Sequence, residues 1–260
     1  MFQPLRPIKE RILAYGSYGC GKSYAYLSIA RAAQQTNSPS IFHVLDTDNA
    51  TERMLVEEFP ELRNVIVYPA FEFPEYVSAL SQIQAAAIPD RNDWIVCDLV
   101  CKSWQAVQEY YIERIYKRGV EDFFLEAREK QVQSQGGKKG GSPLDGFKDW
   151  TIINRIYSSF ADSLILKSRC HLFCAAKGEP VSSDLDSKEI ISVFGRIGLK
   201  PVGQKALPHN FHSVLLFSQR RPGEYYLTTV KDRGRQPVES QMQNFASDYL
   251  CGLAKWQVTP

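Results

Sequence analysis

Gly16-Ser17-Tyr18-Gly19-Cys20-Gly21-Lys22-Ser23 reads G-x-x-x-x-G-K-S. Three glycines let the backbone turn tightly and aim successive N–H groups inward. Those groups, with the positive end of a following helix, cradle phosphate oxygens. In this pattern Lys22 reaches the β- and γ-phosphates, and the Ser23 hydroxyl holds Mg²⁺. Composition alone yields it in roughly 1% of chains this long. The flanks match what such a loop requires. Residues 11–15 (RILAY) read as a short buried strand, and residues 24–35 as an Ala-rich helix. The competing reading is a glycine-rich turn that binds nothing.

Downstream, residues 41–45 form a second buried strand ending in Asp46-Thr47-Asp48-Asn49-Ala50, with a helix from Thr51. Acids at the carboxyl end of a strand sit where parallel α/β sheets bind ligands. Asp46 or Asp48 would orient the water attacking a γ-phosphate; otherwise both only cap the next helix. Trp94-Ile95-Val96-Cys97-Asp98 is an apolar strand with a terminal acid. Asp98 would join Ser23 in the Mg²⁺ shell. A magnesium-nucleotide site follows from the two pieces together.

Other strands are expected at residues 65–68, 170–176, 214–218 and 225–230. Helices are expected at 76–87, 104–130, 150–167 and 240–250. Residues 131–149, centred on Gly136-Gly137-Lys138-Lys139-Gly140-Gly141-Ser142, read as a flexible insertion. Lys138 and Lys139 would touch nucleic acid there, or simply be solvated. Residues 178–210 are too long for an ordinary connection and are expected to be functional or mobile, with a small hairpin where residues 189–194 are β-prone. Cys170, His171, Cys174, His209 and His212 lack the paired spacing of a metal site.

The 260 residues suit one α/β domain; 44% are hydrophobic and 23% charged, ordinary for a globular protein. Net charge is +2, but residues 196–235 carry +6 and the rest of the chain −4. A local basic field suggests a polyanionic partner or a neighbour's nucleotide. Six cysteines without a framework read as reduced, hence an intracellular, cytoplasmic protein. No run approaches the ~20 apolar residues of a membrane span, so no membrane partner is expected.

Strands alternating with helices behind such a loop give an open parallel sheet. Within that plan, Leu45-Asp46-Thr47-Asp48-Asn49-Ala50 resembles the strand end where RecA-like ATPases carry their catalytic acid, as D-x-E-x-A. The match implies that Asp48 takes the catalytic position, with Asp in place of Glu. Val230-Lys231-Asp232-Arg233 resembles the K-x-K/R segment that such subunits offer to a neighbour's γ-phosphate. Lys231 and Arg233 would then act in trans. The stretch after the strand at 170–176 corresponds in position to that family's DNA-binding loop, with Lys177 where a polar residue senses the γ-phosphate. Leu207-Pro208-His209-Asn210-Phe211-His212 is also similar to that group. The whole resembles the compact RecA-like ATPases of bacteriophages, some of which are single-strand annealing recombinases.

The resemblance implies a mostly parallel sheet flanked by helices, with late antiparallel strands. It also implies ATP and Mg²⁺ as cofactors, a homo-oligomeric ring or filament with nucleotide between subunits, and single-stranded DNA as partner. A helicase or translocase motor, a small-molecule kinase, and an ATP-switched assembly factor remain open alternatives. Tyr15, Tyr18 and Arg31 are possible base or phosphate neighbours.

Overall fold

A computed structural model describes residues 9–133, 143–145, 148–232 and 239–253. The chain begins with β1 (Arg11–Gly16), α1 (Lys22–Gln35), β2 (Phe42–Asp46), α2 (Thr51–Glu57), β3 (Val65–Pro69), α3 (Phe73–Ala86) and β4 (Trp94–Asp98). It continues through α4 (Val100–Tyr116), α5 (Val120–Gln133), α6 (Lys148–Ala161), β5 (His171–Pro180), α7 (Lys188–Phe194) and β6 (Leu199–Pro201). It closes with β7 (Ser213–Arg221), β8 (Glu224–Asp232), β9 (Glu239–Met242) and a helical turn at Ala246–Leu253.

The sheet runs β3-β2-β4-β5-β1-β7-β8-β9, with β6 paired to the far end of β5. From β3 to β7 all pairings are parallel; β7-β8-β9 are antiparallel. This is the expected α/β architecture. The central strands β2 and β4 are buried at every position, as an unbroken apolar run must be when helices cover both faces of a parallel sheet. Trp94, Tyr15, Phe42 and Phe173 are at most 1% exposed. Each buried side chain of this size contributes about 2 kcal/mol of hydrophobic stabilisation.

Three expectations are corrected. The long helix over 104–130 is two helices. Lys117 adopts a left-handed conformation (φ 57°) and caps α4 through its N–H to the Glu113 carbonyl. The Tyr111 and Tyr116 hydroxyls each donate to Asp149 at 2.7 Å, tying α4 to α6. The β-prone residues 189–194 belong to helix α7. Its N-cap Ser187 accepts from the Ile190 N–H, and Phe194 packs edge-on against Tyr15. The final helix expected at 240–250 begins instead as β9, because Tyr225 to Thr228 of β8 offer a free sheet edge to Glu239 to Met242. Of the expected insertion at 131–149, residues 134–142, 146 and 147 lie outside the described residues. Within 178–210 the described chain is built from the end of β5, α7, β6 and a short turn at Leu207–Asn210. Among the described residues no helix is long and apolar enough to cross a membrane.

Candidate nucleotide site

The G-x-x-x-x-G-K-S loop leaves β1 at the carboxyl edge of the sheet and enters α1 at Lys22. Gly16 is squeezed between neighbours: a Cβ there would lie 2.1 Å from the Phe217 carbonyl oxygen on β7 and 2.9 Å from Cys20 Sγ. Gly21, the N-cap of α1, sits at φ 91°, which a side chain rarely tolerates. Gly16→Val must therefore push β1 away from β7. We expect a loss of about 3 kcal/mol or more, read as a lowered midpoint in thermal or urea unfolding. An unchanged midpoint would contradict the packing.

Lys22, 9% exposed, folds its ammonium back over the loop. It donates to the carbonyls of Gly16 (3.2 Å) and Ser17 (2.6 Å) and lies 3.3 Å from Cys20 Sγ. The Ser23 hydroxyl donates to Asp98 Oδ2 at 2.6 Å. β4 brings Asp98 there by its register, which sets Asp46 beside Asp98 at the ends of neighbouring strands. Thr47 locks the arrangement: its N–H donates to the Asp98 carbonyl (2.8 Å), and its Oγ1 accepts from the Leu99 N–H (2.6 Å).

Asp98 is 1% exposed, and its Oδ1 has no hydrogen-bond partner among the described residues. Burial pushes its pKa up to about 6; Ser23 and Lys22 pull it down, and Asp48 and Asp46 push it further up. A buried carboxylate oxygen without a donor beside a serine hydroxyl fits an oxygen-coordinated divalent cation. Such a group has its pKa raised on folding. Its contribution to the stability of the cation-free protein is therefore present below the unfolded pKa of about 3.8 and lost as pH rises through about 6. Accordingly Asp98→Asn should stabilise the cation-free protein at pH 7.5 by up to about 3 kcal/mol. The advantage should vanish near pH 4, as measured by melting the two proteins in chelator across that range. A constant difference at all pH values would remove Asp98 as the cause.

The two candidate acids after β2 have different surroundings. Asp46 is fully buried and accepts three backbone N–H groups, from Asp48 (3.2 Å), Asn49 (2.9 Å) and Thr51 (2.9 Å). It organises the turn into α2. Asp48 is exposed at the strand end. Its pKa is raised by partial burial and by Asp46. Asp46 is thus the acid that holds the turn into α2, and Asp48 is the exposed one, near enough to Asp98 to raise its pKa.

Lys177 follows on β5 as the register partner of Gly16 and is exposed. Lys231 lies elsewhere. Gly16 pairs with Phe217 in the middle of β7, whereas Lys231 pairs with Val214 near its amino end. Three residues of strand separate the two levels, about 10 Å. The Lys231 ammonium donates to the carbonyls of Pro208 (3.3 Å) and His209 (3.0 Å). Arg233 lies outside the described residues.

A cavity of about 770 Å³ opens beside the loop, between α1, α2 and the β7–β8 hairpin; its walls include Tyr24, Arg53, Glu57, Phe217, Tyr225 and Gln243. Its volume is that of a small-molecule site. No spacing in the sequence points to these residues, which come from α1, α2, β7, β8 and the segment after β9. Tyr15 and Arg31 are not among its walls. Tyr15 is fully buried, its hydroxyl donating to the Leu199 carbonyl at 3.2 Å. Arg31 pairs with Glu61 at 2.6 Å and covers the Phe59 ring. Tyr18, at the loop's tip, is 97% exposed.

Fold and loop together define an α/β core with a phosphate-loop motif at its carboxyl edge. No family model matches the chain, and no curated protein matches it. Among solved structures it is similar to one described as the crystal structure of the RadB recombinase. The identity is 13% over 88% of this chain and 84% of that one, with a TM-score of 0.47.

Proposed function

We propose that the chain binds and hydrolyses ATP with Mg²⁺ as a subunit of a homo-oligomeric ring or filament, and that it acts on single-stranded DNA in recombination or annealing. The observation that carries the nucleotide reading is the Ser23–Asp98 hydrogen bond of 2.6 Å with the unpartnered Asp98 Oδ1, set beside Lys22 in the glycine turn. The backbone N–H groups of Gly16 to Ser23 hold the phosphates. Lys22 leaves its two carbonyls for the β- and γ-phosphates. Ser23 and Asp98 hold the cation, which would neutralise charge on the transferring phosphoryl group. Asp48 accepts a hydrogen bond from the attacking water. The adjoining cavity takes the base and ribose, with Tyr24 and Tyr225 as stacking surfaces.

Lys231 stands about 10 Å below the level of its own loop, too far down the sheet to serve its own subunit's phosphates. This supports its role, with Arg233, as a cation offered to a neighbour's γ-phosphate. The basic stretch over 196–235 supports a nucleic-acid backbone as partner; such binding is salt-sensitive and largely sequence-blind.

A small-molecule kinase is the second reading, because Arg220 and Arg221 lie on the β7–β8 turn at the loop's end of the sheet. Arg220, however, stacks on Tyr226 and pairs with Glu239. The test is ATP turnover with and without single-stranded DNA, run beside the mass in solution. Turnover stimulated by DNA in an oligomer supports the first reading. Full activity in a monomer, blind to DNA, supports the kinase.

A further inference from the structure

Tyr26 on α1 is fully buried, yet it carries a hydroxyl. It lies four residues after Lys22 and three after Ser23, so the helix turns all three toward one face. Packing needs only the ring. It meets Phe173 of β5 edge-on with 5.7 Å between centroids, and a phenylalanine would fill the same space. The oxygen needs another account, because a buried hydroxyl costs free energy unless it is paired.

Among the described residues its one hydrogen-bond partner is Thr51 Oγ1, at 3.0 Å. Thr51 is fully buried too and opens α2. Its N–H donates to Asp46 Oδ2 at 2.9 Å, and the same carboxylate holds the N–H groups of Asp48 and Asn49. The Tyr26 hydroxyl also lies within the field of Asp98. Burial pushes the phenol's pKa well up, the Asp98 charge pushes it further, and Asp46 adds less. The phenol therefore keeps its proton. Asp98 Oδ1, without a hydrogen-bond partner among the described residues, is an acceptor left open nearby.

Two hydroxyls that share one hydrogen bond have one proton to spare. If Thr51 donates, the spare proton belongs to Tyr26 and faces the Asp98 carboxylate. If Tyr26 donates, its lone pairs face that charge instead. In a low-dielectric interior the first order is favoured while Asp98 carries its charge alone. A cation held at Asp98 reverses the local charge and favours the second. The Thr51 proton is then free to turn to the Asp46 carboxylate beside it.

We propose that Tyr26 and Thr51 are positioning residues that form a two-hydroxyl relay. It couples occupancy of the Ser23–Asp98 cation site to the Asp46-held turn that carries Asp48. The inference rests on the nucleotide reading above and gives that site a means of setting its water-orienting acid only when the cation is in place. Neither hydroxyl touches substrate; one acts through Asp98 and the other through Asp46.

The test uses the full chain with a non-hydrolysable ATP analogue at pH 8, where Asp98 is ionised. Amide exchange across residues 46–51 is followed by mass spectrometry with Mg²⁺ or with chelator, and the analogue's binding is measured by calorimetry. In the wild type Mg²⁺ should slow exchange of that turn. Tyr26→Phe and Thr51→Val should bind the Mg²⁺ analogue as tightly as wild type but lose the slowing, whereas Thr51→Ser keeps it. With ATP, each of the first two variants should lower kcat about tenfold at unchanged KM, and the double variant should be no worse than either. Slowing that survives in Tyr26→Phe overturns the proposal, as does a raised KM at unchanged kcat. If Tyr26→Phe does not fold, Thr51→Val decides by the same readouts. A wild type that binds the Mg²⁺ analogue with no change in the turn sinks the relay alone. One that binds no analogue sinks the nucleotide reading with it.

Discussion

Lys22→Ala is expected to lower kcat/KM for ATP by roughly 10³-fold or more. The Lys22 ammonium rests on the Gly16 and Ser17 carbonyls, at 3.2 and 2.6 Å. Removing it leaves those two oxygens facing the phosphates without a cation between them, so the substitution replaces an attraction by a repulsion. The fold should survive. Lys22 opens α1, and alanine is the better helix former. Melting curves for the two proteins should therefore nearly coincide. Steady-state turnover within tenfold of wild type, in a protein shown to be folded, would reject the nucleotide site.

The second large effect concerns a site shared between copies. Lys231→Ala alone should cost about 10³-fold in turnover, the usual worth of a cation placed on the transferring phosphoryl group. Asp98→Asn alone should be comparably inactive, because the cation loses its carboxylate. Mixed in equal amounts, the two should recover activity. A Lys231→Ala subunit keeps an intact loop, Ser23 and Asp98, and its Asp98→Asn neighbour keeps Lys231. Random assembly makes about a quarter of the interfaces complete, since each is formed by two different patches. Turnover measured against mixing ratio should peak near equal amounts. A confirmed oligomer that stays inactive at every ratio would show the site to be self-contained within one subunit.

The two predictions differ in how much of their basis was legible in the sequence. The phosphate loop and Asp98 were. Eight contiguous residues encode the turn, and an apolar run ending in an acid encodes β4 and its terminal carboxylate. The alternation of elements was equally legible, because hydrophobic period and turn residues are local properties of the chain. Boundaries failed where a distant contact outweighs a local preference. The helical pattern over 104–130 breaks at Lys117, where Asp149 anchors Tyr111 and Tyr116. The β-prone 189–194 becomes helical once Ser187 caps it and Phe194 finds Tyr15. At 239–242 the open edge of β8 captures a segment that reads as helix.

What the sequence determined by itself is the loop that would grip a triphosphate and the carboxylate that would share its cation, since both are written in contiguous residues. The tertiary structure alone distinguished buried Asp46, spent on three backbone N–H groups, from exposed Asp48. It alone assembled the cavity wall from α1, α2 and the β7–β8 hairpin, and set Lys231 and Arg11 at the edge away from the loop. The physical reason is sheet order. A strand's level and direction in a nine-stranded sheet depend on pairings between residues up to two hundred positions apart, and no local pattern encodes them.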